Sequence, residues 1–367
     1  MRIAIIINTP AQLHFYRTIV NELQAHGHTT GIMLRDYMET RALADKMGLD
    51  YVKYSGHGKK SKVGTLLNTP KSWLSAVLFK KDFKPDFVIG SGIIEFPFSF
   101  LGVPGFVFID NEPRTDFSLY IQQKLYLPFT DAIITPESYR TDLGPKHIRM
   151  PSFKELSYLH PNHFRPRSDI LDLMDIDFKT PFVILRFNAF DSIHDVGMKR
   201  ITNEQKREMI ARLEPFANVF ISSESPLPDD LRKYELHTPK DRIHDVLYYA
   251  TMLITETGTM TTEAALLGTP AIMIHPKVDL FGNFVELKDK YGLIFTYKGA
   301  GPAMDKASEL IQRPRLKKEW SEKLDTLLKD KVDAAKFIID MIEGYPGSVE
   351  KYVKEKRLDT RRVQMLS

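Results

Sequence analysis

Residues 254–272 read ITETGTMTTEAALLGTPAI. The apolar run Met252–Thr255 enters a Thr-Gly-Thr turn, an alanine- and leucine-rich segment follows over Thr259–Leu267, and Gly268-Thr269-Pro270 separates it from a second apolar run, Ala271–His275. A short strand with no polar face, a helix and another such strand are what a parallel sheet covered on both faces requires. The helix opening there has amides without intrahelical partners at the positive end of its dipole, which makes the turn a natural anion site. Gly258 lets a diphosphate approach the backbone, and Thr257, Thr259 and Thr261 supply hydroxyls for capping or for phosphate oxygens. Glu263, one turn further on, can accept two ribose hydroxyls. A threonine-capped helix packed through Ala264, Ala265, Leu266 and Leu267 explains the same letters equally well.

The same rhythm extends in both directions. Upstream lie the strand Phe182–Phe187, the helix Asn203–Leu213, the strand Asn218–Ser222 and the helix Asp241–Ala250, and downstream the strand Leu293–Phe295. The first half repeats it, with strands predicted at Ile3–Ile7, Thr29–Leu34, Tyr51–Tyr54, Asp86–Ile89, Gly105–Ile109 and Ala132–Thr135. Helices are predicted at Ala11–His26, at Glu39–Met47 and up to Asp82. Between Pro151 and Pro181 the period weakens and Pro, His and Asp accumulate, which marks a junction. The expected organisation is α/β with two facing Rossmann-like domains and a cleft between them. Residues 1–165 form a first Rossmann-like domain, 175–335 a second one, and 336–367 a C-terminal helical segment. Ligands of such sheets bind beyond the carboxyl ends of the strands.

Bulk composition narrows the chemistry. A chain of 367 residues exceeds the roughly 250–300 at which single cores stop growing, so two domains are expected. With Cys 0 there is no disulfide framework, no thiolate nucleophile and no cysteine metal site. A net charge of +4 is too mild for a nucleic-acid binder, which concentrates far more Lys and Arg on one face. No apolar stretch reaches the ~18–20 residues that span a bilayer, and the N-terminus is not a signal peptide. The expected location is the cytoplasm, with peripheral contact at the inner membrane face as an open option. That option comes from Gly58-Lys-Lys-Ser-Lys62 followed by Trp73, Leu74, Val77, Leu78, Phe79, Lys80 and Lys81, a cationic and apolar combination suited to an anionic lipid surface. Core packing of the apolar residues with solvated lysines is the competing account.

Further candidates stand at predicted strand ends. Asn8–Phe15 turns from the first strand into the first helix, and His14 there can serve as a general base near neutral pH or as a local backbone cap. Asp110-Asn111-Glu112 ends another apolar strand, so Asp110 and Glu112 can orient a sugar hydroxyl or transfer protons; a simple turn has the same composition. Arg186, Asn188, Asp191, His194 and Asp195 gather after the first strand of the second domain, where Arg186 can grip a phosphate bidentately. His194 and Asp195 alone are too few for a metal site, and none is expected. Glu224 ends a strand at the same height. His244 begins a helix and either contacts ligand or caps.

At these motifs the sequence resembles a mostly archaeal family related to UDP-N-acetylglucosamine 2-epimerase and to GT-B glycosyltransferases. The resemblance spans nearly the whole chain, through INTPAQLHFYRTIVNEL, LGVPGFVFIDNE, FTDAIITPESY, YLHPNHF, LRFNAFDSIHD, FISSE, RIHDVLYYA and TMTTEAALLGTPAI. It implies that Gly258, Thr259 and Met260 wrap a nucleotide diphosphate and that Glu263 holds the ribose. His14 resembles by placement a histidine of lipid-linked glucosaminyltransferases. The epimerases carry a catalytic Asp in a His-Gly-Asp turn where this chain has Gly90-Ser91-Gly92, and a His-Val-Glu-Ala-Gly run where it has Phe108–Glu112. The expectation is therefore transfer of a sugar from a nucleoside diphosphate sugar, UDP-linked, bound by the domain of residues 175–335, to a glycan or lipid-linked acceptor on the domain of residues 1–165, without cofactor or metal. A 2-epimerase-like enzyme and a non-catalytic nucleotide-sugar binder are the alternatives. The oligomeric state is not legible.

Overall fold

The computed structural model describes residues 1–37, 39–55, 62–110, 124–188, 201–276 and 278–366. The chain divides into two compact units, one of Met1–His163 with Val332–Ser367 and one of Phe164–Lys331.

Unit 1 holds seven strands: β1 (Arg2–Ile7), β2 (Thr29–Arg35), β3 (Tyr51–Ser55), β4 (Phe87–Gly90), β5 (Gly105–Phe108), β6 (Ala132–Pro136) and β7 (His147–Met150). They form one sheet in the order β3-β2-β1-β4-β5-β6-β7, with every pairing parallel. Ile3–Ile7 are 0% exposed, which is why β1 has no polar face. Helix Pro10–Ala25 covers the sheet through Leu13, Tyr16, Ile19, Val20 and Leu23, and its N-cap Thr9 accepts the Gln12 N–H at 3.3 Å. β7 has no counterpart in the sequence reading, because His147 and Arg149 interrupt it. The structure buries His147, which meets Thr135 Oγ1 at 2.8 Å. Burial holds its pKa down at about 4, so the ring sits in the core uncharged.

After leaving for unit 2 the chain returns at Val332, whose N–H donates to Pro151 O at 3.0 Å. Asp333 caps helix Ala334–Glu343 by accepting from the Ala335 and Lys336 amides. The same carboxylate accepts from His163 Nε2 at 2.7 Å and Asn162 Nδ2 at 3.0 Å, tying the departing segment to the returning one. The helix then packs against Pro10–Ala25 with Ile338 and Ile342 fully buried. Residues from 336 onward, set apart as their own segment in the sequence reading, thus lie in unit 1.

Unit 2 holds β8 (Phe182–Phe187), β9 (Asn218–Ser223), β10 (Met252–Thr255), β11 (Ala271–Ile274) and β12 (Ile294–Tyr297), again all parallel, in the order β12-β11-β10-β8-β9. Helix Asn203–Leu213 opens with a reciprocal cap between Thr202 and Gln205. Trp320, 0% exposed, anchors helix Leu316–Asp330 by donating Nε1–H to Leu293 O at 2.7 Å. Lys317 Nζ donates to Tyr248 O at 2.8 Å, Ala250 O at 3.0 Å and Thr269 Oγ1 at 2.7 Å, holding the end of helix Ile243–Tyr249. Strand order reverses between β1 and β4 in unit 1 and between β8 and β10 in unit 2. These are the crevices where open parallel sheets take ligands.

Candidate functional site

In unit 2 the reversal brings Arg186 beside Thr255, its register partner, with Ser222 on the other side. Helix Gly258–Leu266 starts three residues after β10. Thr257, the residue before it, makes no side-chain cap bond; its hydroxyl meets Thr255 Oγ1 at 2.9 Å and its own N–H donates to the same oxygen at 2.9 Å. Thr257 therefore does not cap the first-turn amides. Thr257, Gly258, Thr259 and Met260 are half-exposed at this opening. Thr261, by contrast, is buried, and its hydroxyl donates back to Thr257 O at 2.8 Å.

Gly258 has a packing role that the sequence does not reveal. A Cβ there would lie 2.7 Å from Phe284 Cζ, so the glycine makes room for a ring of its own chain. Glu263 is 4% exposed and meets His244 Nε2 at 3.0 Å, with His244 itself 7% exposed. The two candidates, nineteen residues apart in sequence, form one buried pair behind the helix opening. His244 is thus a partner of Glu263 rather than only a cap.

Arg186 is already engaged. Nη1 donates to Ser222 Oγ at 2.9 Å and Nη2 to Glu224 Oε1 at 2.5 Å, while Nε is buried and unpaired. A phosphate would reach the outer edge of this guanidinium by displacing Glu224. Glu256 escaped the sequence reading although it directly follows an apolar strand. It is buried, and it accepts from the Asn188 N–H and the Ile201 N–H, each at 3.4 Å. Residues 189–200, with the candidates His194, Asp191 and Asp195, lie outside the described residues.

The corresponding edge of unit 1 is built differently. Asn8, just after β1, accepts from the Tyr54 hydroxyl, and Tyr16 OH meets Ser91 Oγ at 3.1 Å. Burial pushes the phenols of Tyr16, Tyr54 and Tyr126 up, and the nearby Glu95 adds to each shift. Glu95 itself is 1% exposed and makes no hydrogen bond of ordinary geometry. The amides of Glu95, Gly92, Ser91 and Ile94 favour its charged form, but burial outweighs them and raises its pKa to about 8. A Cβ at Gly90 would collide with Glu95 Oε1, so this glycine is what lets the carboxyl fold back against β4. No sequence signal marked Glu95, since Ile93-Ile94-Glu95 reads as an ordinary turn into a helix.

Asp110 forms an ion pair with Lys154, and Lys154 lies 3.7 Å from Glu155. His14 is half-buried with its ring centroid 5.4 Å from that of Tyr158. Glu112, the other carboxylate proposed for this edge, lies outside the described residues.

Two parallel sheets of this order, each with a crevice at its reversal, place the chain in the GT-B-like class of α/β folds. It belongs to the family described as protein of unknown function DUF354, whose model matches residues 1–292. Similar solved structures include a UDP-N-acetylglucosamine 2-epimerase with 12% identity and a TM-score of 0.68, the match covering 95% of this chain and 96% of that one. The UDP-GlcNAc 2-epimerase from Neisseria meningitidis, solved with UDP-GlcNAc, matches at 15% identity and a TM-score of 0.64 over 93% of this chain and 99% of its own. The glycosyltransferase VinC in complex with dTDP matches at 12% identity and a TM-score of 0.61 over 97% and 100%. No curated protein matches the sequence.

Proposed function

We propose that the chain is a nucleotide-sugar enzyme that holds a nucleoside diphosphate sugar of the UDP-linked kind at the carboxyl edge of β8 and β10 and transfers the sugar to a glycan or lipid-linked acceptor. The observation that carries this is the half-exposed, side-chain-uncapped opening of helix Gly258–Leu266 at the strand-order reversal, backed by the buried Glu263–His244 pair. In this reading the amides of Gly258, Thr259 and Met260 bind the pyrophosphate, with Thr257 and Asn188 beside it, and stabilise the charge that grows as the diphosphate departs. Glu263, oriented by His244, accepts the ribose hydroxyls. Arg186 joins the phosphates when Glu224 releases it. The acceptor falls to unit 1, with His14 as the base, since the carboxylate of Asp110 is committed to Lys154. That similar solved structures hold UDP-GlcNAc and dTDP supports the choice of ligand class.

Calorimetric titration with UDP, dTDP and UDP-GlcNAc tests the binding step. Binding by the intact chain with at least about tenfold weaker binding by Glu263→Ala is the expected result; no binding of any of the three ends the proposal. If His14 is the base, His14→Asn lowers kcat by about a hundredfold and leaves donor affinity in place. A pure binder shows no turnover for either protein.

One observation favours 2-epimerase chemistry as a second reading. In the turn where the sequence lacks the epimerase aspartate, the Glu95 carboxyl folds back beside Gly90. Incubation with UDP-GlcNAc alone, with NMR observation of exchange at the sugar C2 proton, separates the two readings: exchange without acceptor supports the epimerase.

A further inference from the structure

Unit 1 carries an apolar surface that nothing in the nucleotide-sugar reading uses. Along helix Lys62–Phe83 the buried side is formed by Ser72, Ala76 and Phe79, with Trp73 packed against the same core. Trp73 and Phe79, grouped with the surface residues in the sequence reading, thus face inward. The solvent side presents Lys71, Leu74, Val77, Leu78 and Lys81, with Leu74 60% and Leu78 52% exposed. Spacings of three, four and three residues from Lys71 through Leu74 and Leu78 to Lys81 make this a single stripe, two leucines between two lysines.

From the inward side of the helix, ring contacts lead on to the neighbouring elements. Trp73 meets Phe96 at 5.0 Å between centroids, and Phe96 meets Phe100 at 5.6 Å and Phe129 at 5.2 Å. These rings connect the helix to a second exposed group: Phe100 at 62%, Leu101 at 45%, Leu125 at 43% and Phe129 at 43%. Seven of the fifteen exposed large hydrophobic side chains among the described residues therefore lie in this one part of unit 1. Single exposed apolar residues are ordinary, but a connected group of this kind marks a contact surface.

Charge selects the occupant. From Lys71 to Lys81 the helix has three lysines, at 71, 80 and 81, and no acidic residue. Lys124 is exposed next to Leu125. Among the described residues the acidic neighbours include Asp82, exposed at the end of the stripe, Asp86, whose carboxylate accepts the Arg2 N–H at 2.7 Å, Asp131, whose carboxylate accepts the Gly105 N–H at 2.8 Å, and the buried Glu95. Leucine and phenylalanine between lysines suit the boundary of an anionic bilayer, where apolar side chains enter the acyl region and ammonium groups meet lipid phosphates. No helix among the described residues is long and apolar enough to cross a membrane, so the contact is with a surface.

We propose that the Lys71–Lys81 part of helix Lys62–Phe83, helix Phe96–Phe100 and residues 124–129 form a docking face for an anionic lipid bilayer, with Leu74, Leu78 and Phe100 entering the interface and Lys71 and Lys81 contacting headgroup phosphates. This stands apart from the nucleotide-sugar reading and its test needs no nucleotide. Flotation of the purified full chain with phosphatidylcholine vesicles, and with vesicles containing about one third phosphatidylglycerol, measures it. The expected result is at least about tenfold stronger association with the anionic vesicles, weakened several-fold by salt. The triple variant Leu74→Gln, Leu78→Gln, Phe100→Gln should lose about tenfold or more, with an unchanged melting temperature because all three side chains are exposed. Lys71→Glu with Lys81→Glu should erase the anionic preference. Equal or absent binding to both vesicle types overturns the proposal, as does a triple variant that floats like the parent. A dimer in sedimentation velocity that the triple variant dissolves would assign the face to a second copy instead and equally overturns it.

Discussion

The two sheet edges share one topology and oppose each other in chemistry. At the β8/β10 reversal of unit 2 the groups are charged or hydrogen-bonding and mostly open to water: the half-exposed Arg186 paired with the exposed Glu224, and the half-exposed opening of helix Gly258–Leu266, with the buried Glu256 carboxylate behind them. At the β1/β4 reversal of unit 1 they are the buried phenols of Tyr16 and Tyr54 and the buried Glu95 carboxyl, with the half-buried Asn8 amide beside them, and Glu95 is held protonated near neutral pH. Parallel strand order creates a crevice in both places. What fills it decides the chemistry, since exposed amides attract anions while a buried uncharged acid stores or exchanges a proton.

The contrast can be broken first at Gly258. Gly258→Val should cost about 2–3 kcal/mol in unfolding free energy, because the added carbons meet Phe284, and Phe284→Ala in the same chain should recover most of it. Affinity for UDP that stays low in the stable double variant would show that the glycine also serves ligand approach; restored affinity would reduce it to packing.

Glu95 offers the next largest effect. Its pKa of about 8 in the folded chain lies above the ordinary 4.5, so the proton is held more tightly folded than unfolded. The associated stability is complete below about pH 4.5 and is lost as pH rises through 8. Glu95→Gln cannot titrate, and its stability should gain on the parent between pH 5 and 9 by about 1–3 kcal/mol in denaturant melts. A constant difference across that range would mean that the carboxyl is solvated, removing the contrast.

At the charged edge, Glu224→Gln leaves Arg186 free for phosphate and should tighten UDP binding about three- to tenfold, or roughly 1 kcal/mol. An unchanged dissociation constant would make the guanidinium a structural partner of Ser222 and no more. The smallest effect belongs to Tyr16→Phe, which removes the hydroxyl contact with Ser91 and should cost about 0.5–1.5 kcal/mol by thermal melting.

Much of the strand pattern was legible because runs such as Ile3–Ile7 and Met252–Thr255 have no polar face, and only a sheet covered on both sides demands that. β7 was not, since His147 is made apolar by its surroundings rather than by its identity. In the candidate site the reading reached the helix opening and Glu263, whose cues are local. It missed Glu95 and Glu256, because whether a carboxylate after a strand points outward or folds back depends on the space left by Gly90 at the strand end in one case and on amides elsewhere in the chain in the other. The link between His244 and Glu263 was hidden for the same reason: it is a contact in space between two helices.

The tie between His163 and Asp333 has a bearing on how the polypeptide is made. During synthesis, everything that unit 2 contains has been delivered once Lys331 emerges, whereas unit 1 still lacks the helix that covers Pro10–Ala25. Unit 2 can finish first, and unit 1 must wait for helix Ala334–Glu343. A chain halted at Lys331 would leave the ribosome with a complete second half and a first half whose core stands open.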